Sequence, residues 1–190
     1  FIADAGNDTI AGGTGFDVLD YSGVGSGISA DLSRKSITGA ASGSDTVSGV
    51  EKIIGSGLAD TFEGSSSDDI IDGGAGNDTL RGIAGSDTLT GGAGADTYFW
   101  EKTDVTDATS GVHLGVDHIT DFGGGDVLDF RKLVGLGTKA IQSMVKITDT
   151  DEGSVVSARI GNTFKDVAVL DDVHGVTAAQ PFHDSHLLVG

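Results

Sequence analysis

Between residues 55 and 99 a single apolar side chain recurs at every ninth position, flanked on both sides by polar or small residues in most units: Phe62, Ile71, Leu80, Leu89 and Tyr98. Two places before each stands an aspartate: Asp60, Asp69, Asp78, Asp87 and Asp96. Written in nines, the units are GSGLADTFE, GSSSDDIID, GGAGNDTLR, GIAGSDTLT and GGAGADTYF. Two more fit near the start, carrying Asp8 with Ile10 and Asp17 with Leu19. The first six residues of a unit are glycine-rich and polar, which suits tight turns. The last three alternate polar, apolar, polar, which is a short strand with one side chain turned inward. A turn plus such a strand is half a coil, so 18 residues close one coil and stacked coils bury the eighth-place residues between two parallel sheets. The fold expected is all-β: a parallel β-roll, a two-sheet right-handed solenoid of nonapeptide repeats, with a β-rich C-terminal cap.

Elsewhere the pattern loosens. Residues 20–54 break the nines but keep apolar stretches (Val18 to Tyr21, Ile28 to Leu32, Val47 to Ile54) between Gly/Ser turns, and read as irregular coils of the same solenoid. The roll is therefore placed at 1–99. After it, 100–116 reads as a polar loop and 116–130 as strand–turn–strand. Strands are expected around Val145 to Ile147, Val155 to Ile160 and Val167 to Leu170, with a hairpin turn at Asp151-Glu152-Gly153. RKLVGLG and TKAIQSMV could each give a short helical turn. Residues 100–190 form the expected cap, since an open solenoid end exposes apolar residues and unpaired strand edges. The chain opens inside a repeat, which reads as part of a longer protein.

Composition sharpens this picture at two points. The chain has 32 Gly, one Pro and no Cys, so neither disulfides nor thiolate metal sites hold it together. Its 29 acidic and 11 basic residues give a formal charge of −18, which repels nucleic acid and anionic lipid and costs self-repulsion on compaction unless cations neutralise it. No run approaches the roughly 18 apolar residues of a membrane span.

Calcium takes six to eight hard oxygen ligands at about 2.3–2.6 Å. A glycine-rich turn ending in Asp offers carbonyls and a carboxylate, but only half a shell. Coils stack at about 4.8 Å, so turns 18 residues apart face each other and can complete one. The pairs are Asp60 with Asp78, Asp78 with Asp96, and Asp69 with Asp87, which makes room for at least three calcium ions. GGAGND (73–78) and GGAGAD (91–96) have every glycine in place and share the site expected to be tightest. GSSSDD (64–69) and GSGLAD (55–60) lack glycines, so their sites are expected to be weaker or empty. Asp8 and Asp17 lie on opposite edges and need partners from the irregular coils or from residues before 1.

GGAGNDTLR and GGAGADTYF match the G-G-x-G-x-D-x-U-x repeat, so the chain resembles RTX (hemolysin-type calcium-binding repeat) C-terminal domains. It is similar in particular to serralysin C-terminal β-rolls and alginate-epimerase R-modules. The resemblance extends to Asp117-His118-Ile119-Thr120-Asp121-Phe122 followed by Gly125-Asp126-Val127-Leu128-Asp129. It implies that Asp117 and Asp126 bind calcium together with a polar-loop aspartate, Asp104 or Asp107. It also implies backbone-carbonyl ligands at places two to four of the turns: Gly74, Ala75 and Gly76; Gly92, Ala93 and Gly94; Ala84 and Gly85. For biology it implies a secreted or bacterial cell-surface protein, export by type I secretion machinery reading a C-terminal signal within 100–190, and folding on meeting extracellular calcium.

No catalytic constellation is visible, and the HExxH of the serralysin proteases is absent. His183 and His186 are too isolated to argue for zinc. Tyr98 and Trp100 are expected to close the last coil rather than to form a sugar platform. Three functions remain: a non-enzymatic folding and secretion module, monomeric within a longer chain; a polysaccharide-binding module; and a surface-layer or adhesin assembly module. The first is favoured, because basic residues are too thinly spread to line a groove for anionic glycan.

Overall fold

A computed structural model describes residues 1–105, 115–123, 125–130, 132, 145–151, 153–160, 163–173 and 187–188. Each nonapeptide contributes one three-residue strand: β1 Thr9–Ala11, β2 Val18–Asp20, β7 Thr61–Glu63, β8 Ile70–Asp72, β9 Thr79–Arg81, β10 Thr88–Thr90 and β11 Thr97–Phe99. Between them lie β3 Ile28–Asp31, β4 Ser36–Gly39, β5 Gly43–Ser48 and β6 Lys52–Ile54. After the last repeat come a one-turn helix α1 Lys102–Val105, then β12 Asp117–Ile119, β13 Val127–Asp129, β14 Val145–Thr150, β15 Gly153–Ile160, β16 Thr163–Asp171 and β17 Leu187–Leu188.

Strands of alternate repeats join alternate sheets. One sheet runs β1-β5-β4-β3-β7-β9-β11-β13-β17 and the other β14-β15-β16-β12-β10-β8-β6-β2. Pairing within the repeats is parallel, with Thr61 opposite Thr79 and Ile71 opposite Leu89, which is a register of 18 residues. That register puts Phe62, Ile71, Leu80, Leu89 and Tyr98 in one buried column with Leu19, Ile53, Ile119 and Leu128. The fold is a parallel β-roll.

Two departures from the plain repeat matter. At residues 28–48 the chain folds back as an antiparallel β3-β4-β5 meander, so the first sheet carries three strands where the second carries only β6. Past residue 99, β12 and β13 continue the two sheets in parallel, β16 pairs with β12, and β14-β15-β16 forms an antiparallel meander. The start of the expected polar loop is the single turn of α1. Residues 131 and 133–144, which hold nearly all of the two short helical turns expected from RKLVGLG and TKAIQSMV, lie outside the described residues, as do His113, His174, His183 and His186.

Tyr98 and Trp100 are buried, and Trp100 stacks on Phe130 with ring centroids 5.1 Å apart. Both rings close the core at the end of the repeats.

Candidate metal centre

The aspartates form two ladders, one along each edge of the roll. The Asp60 N–H donates to Asp78 Oδ1 (2.8 Å), Asp78 N–H to Asp96 Oδ1 (2.8 Å) and Asp96 N–H to Asp126 Oδ1 (2.9 Å). On the other edge Asp69 N–H donates to Asp87 Oδ1 (2.9 Å) and Asp87 N–H to Asp117 Oδ1 (3.2 Å). All three pairs expected at 18-residue separation are therefore brought together, and Asp117 and Asp126 extend the ladders past the repeats.

These hydrogen bonds engage one oxygen of each carboxylate. The other oxygen, Oδ2 of Asp78, Asp87 and Asp96, is buried without a partner, and the three residues are 1%, 0% and 0% exposed. Each of these oxygens faces the first glycine of its own turn: a Cβ on Gly73, Gly82 or Gly91 would collide with it. An unpaired buried carboxylate oxygen costs several kcal/mol in order of magnitude, so three in register point to a missing positive ligand. A hard cation fits this demand. Among the described residues no three Asp, Glu, His or Cys side chains cluster as a metal site, so the carboxylates must share the shell with backbone carbonyls.

The turns hold those carbonyls close. Gly74 and Gly92 have φ of 95° and 92°, and Gly76 has φ of 135°. Ala93 N–H donates to the Gly74 carbonyl (2.9 Å) and Gly76 N–H to the Ala93 carbonyl (2.8 Å), which locks turn 91–96 onto turn 73–78. A carbonyl engaged by one hydrogen bond keeps a second lone pair. Ala75 pairs with Ala93 in a parallel bridge. In turn 82–87, beside Ala84, Gly85 has φ of 127° and Ile83, standing where glycine is expected, has φ of 81°. A β-branched residue in the left-handed region costs roughly 1–3 kcal/mol, so the turn geometry is imposed on Ile83 by its surroundings. Ile83→Gly is expected to raise stability in calcium by about 1 kcal/mol, read as a higher denaturant midpoint at unchanged m-value.

The remaining candidates sort as follows. Asp8 N–H donates to Asp45 Oδ1 (2.9 Å) and Asp17 N–H to Glu51 Oε2 (2.8 Å), so the irregular coils supply both partners. Asp17 Oδ2 is also buried and unpaired, whereas the second oxygen of Asp45 accepts the Tyr21 hydroxyl (2.6 Å). Asp104 is engaged by Arg81 at 2.7 and 3.0 Å and by the Glu101 N–H at 2.6 Å, so both of its oxygens carry hydrogen bonds from the protein. Asp107 lies outside the described residues.

The sequence reading missed Asp45 and Glu51, although SGSDTVS and SGVEKII carry places three to nine of the repeat, the second with Glu for Asp. It also missed Asp121, which accepts the Gly91 and Gly92 N–H groups (3.0 and 2.7 Å) and the Tyr98 hydroxyl (3.1 Å). No periodic signal marks it.

Electrostatics agree with the geometry. Burial, then the neighbouring Asp60 and Asp96 carboxylates, push Asp78 up to about 7 against the hydrogen bond from the Asp60 N–H. Burial likewise raises the facing pair Asp87 and Asp117, and raises Asp69, Asp96 and Asp126. For an acid whose folded-state pKa is raised, the stabilising contribution is complete below the unfolded value of 3.8 and is lost as pH climbs through about 7. Surface acids held low, such as Asp20 by Ser22 and Glu101 by Lys132, oppose this weakly. Without metal, β-content in far-UV circular dichroism is therefore expected to fall as pH rises from about 4 to about 7. Calcium affinity should rise over the same window as protons leave the ladder.

Residues 2–20, 54–82 and 82–99 match the family model of the RTX calcium-binding nonapeptide repeat, four copies of it. These segments are RTX calcium-binding repeats. The ladder aspartates Asp60, Asp69, Asp78, Asp87 and Asp96 all lie within them.

Among solved structures, the chain is similar to the AlgE6R3 subunit of the Azotobacter vinelandii mannuronan C5-epimerase, at 26% identity over 60% of this chain and 69% of that one, with a TM-score of 0.23. It is also similar to the extracellular lipase LipA from Serratia marcescens, at 16% identity over 88% of this chain and a TM-score of 0.32. The chain spans about a third of the lipase, 33% of its length. No curated protein sequence matches the chain.

Proposed function

We propose that this calcium-binding RTX module drives folding of an exported bacterial protein: little ordered where calcium is scarce, it folds outside the cell around calcium held between stacked turns. Supporting this reading above all are the unpaired buried oxygens on Asp78 and Asp96 along one edge and on Asp87 along the other, each backed by a glycine. In the metal-free state these carboxylates repel one another, and the glycine-rich turns lose much conformational entropy on ordering. With calcium, binding free energy becomes folding free energy.

Type I secretion is the export route that such a switch suits, because the chain must pass the machinery unfolded. Residues 1–99 are the calcium-dependent roll, and 100–190 are the cap and secretion-signal region. Within the cap, β12 and β13 pair with β10 and β11 and bury Ile119 and Leu128 in the core. No helix among the described residues is long and apolar enough to cross a membrane.

Far-UV circular dichroism during calcium titration at neutral pH tests the reading. A cooperative gain of β signal near the millimolar calcium typical of extracellular modules is expected. Magnesium, which holds its waters tightly and demands octahedral geometry, should not replace calcium. Full structure in chelator, or equal folding with magnesium, would overturn it.

A further inference from the structure

Six repeat turns that keep all six places carry a buried or half-buried ladder aspartate, and they fall into two conformational classes. In turns 12–17, 73–78, 82–87 and 91–96 the aspartate Oδ2 is buried without a partner. The same four turns have left-handed φ at both the second and fourth places: Gly13 and Gly15, Gly74 and Gly76, Ile83 and Gly85, Gly92 and Gly94. Turn 82–87 belongs to this class even though its second residue is isoleucine, so the conformation does not follow from glycine content alone.

Turns 55–60 and 64–69 differ on both counts. Their second and fourth places are Ser56 and Leu58, Ser65 and Ser67, and none of these has positive φ. Instead the Ser56 N–H donates to Asp60 Oδ2 (2.6 Å) and the Ser65 N–H to Asp69 Oδ2 (2.6 Å). The serine hydroxyls fasten this arrangement. Ser56 Oγ accepts the Leu58 N–H (3.1 Å) and donates to Asp60 Oδ1 (2.8 Å), while Ser65 Oγ accepts the Ser67 N–H (3.1 Å). Serine side chains that bind the backbone two residues on are an established way to hold a turn.

We infer that Ser56 and Ser65 are specificity-determining residues that close their own turns to calcium by satisfying the ladder carboxylate from within. An N–H already seated on Oδ2 occupies one of its lone pairs and satisfies the buried charge that would otherwise draw in a cation. A turn without left-handed residues at places two and four also presents its carbonyls differently from the turns that keep the oxygen free. The stations are then confined to the turns holding Asp17, Asp78, Asp87 and Asp96, and residues 55–69 form a metal-free girdle between an N-terminal and a C-terminal group. The inference rests on the calcium reading above and narrows the expectation that Asp60 and Asp69 share ions with Asp78 and Asp87.

The test restores glycine. Ser65→Gly with Ser67→Gly, and separately Ser56→Gly with Leu58→Gly, recreate the open-turn pattern. Native mass spectrometry in calcium should count one ion more on each variant than on the parent. Parent and variants binding the same number of ions would overturn the inference while leaving the calcium reading intact. A parent that binds no calcium would sink that reading instead. Should either variant fail to fold, calcium-loaded crystals of the parent decide: no cation within ligand distance of Asp60 or Asp69 is expected, and one there overturns the inference.

Discussion

Asp96→Asn is expected to raise the calcium concentration for half-folding by at least about tenfold, yet to leave the chelated protein no less ordered than the parent. The two halves of this result follow from the two oxygens of Asp96. One accepts the Asp78 N–H at 2.8 Å, a role an asparagine carbonyl oxygen can keep. The other is buried without a partner, so in the absence of metal its charge opposes folding, in line with the raised pKa that burial gives the group. Neutralising it removes a ligand from the calcium-bound state and a penalty from the metal-free state. A residue that merely braced the turn would lose stability under both conditions. Equal destabilisation in calcium and in chelator, followed by circular dichroism, would therefore show that Asp96 is structural and not a ligand.

Gly92→Ala should be among the most damaging single methyl groups in the repeats, at about 3 kcal/mol or more of stability in saturating calcium. Two independent penalties meet at this position. Its φ of 92° is left-handed, and a Cβ there would overlap the Gly74 carbonyl oxygen of the turn below. Relief by sliding turn 91–96 outward would break the Ala93 N–H bond to that carbonyl and the Ala75–Ala93 bridge, and would pull Asp96 off the Asp78 N–H. Gly57→Ala is the control, since Gly57 has no positive φ and a Cβ there meets nothing within 4 Å. It should shift stability by under about 0.5 kcal/mol. Similar denaturant midpoints for the two variants would contradict the close stacking of turns on which the metal site depends.

The roll itself was legible because its signal is strictly periodic. One inward residue per nine, with Asp two places earlier, fixes strand, turn and stacking register at once, and the 18-residue partners follow by arithmetic. Where the period fails, legibility fails for physical reasons. The β3-β4-β5 meander places Asp45 and Glu51 in the ladders through short coils whose turns keep only their last residues, so counting in nines steps over them. Asp121 reaches the Gly91 and Gly92 N–H groups from a different coil, and only the three-dimensional path of the chain reveals that it caps a turn 30 residues earlier. Sequence does not show that Arg81, the ninth residue of a repeat, projects toward the α1 turn and pairs with Asp104.

Serine in place of glycine was legible as a weaker turn but not as a differently folded one. The distinction lies in a hydrogen bond from the second-place N–H, which composition alone does not specify. Ile83 makes the complementary point: a residue that disfavours the left-handed turn adopts it all the same, so the conformation of this turn is not set by that residue's own preference.

The most direct test is a calcium anomalous-difference map from crystals of the chain grown in calcium at neutral pH. The account predicts a peak between turns 73–78 and 91–96, with carboxylate oxygens of Asp78 and Asp96 about 2.3–2.6 Å from the ion. Both Oδ2 atoms instead satisfied by protein groups or water, with no peak between the turns, would contradict it.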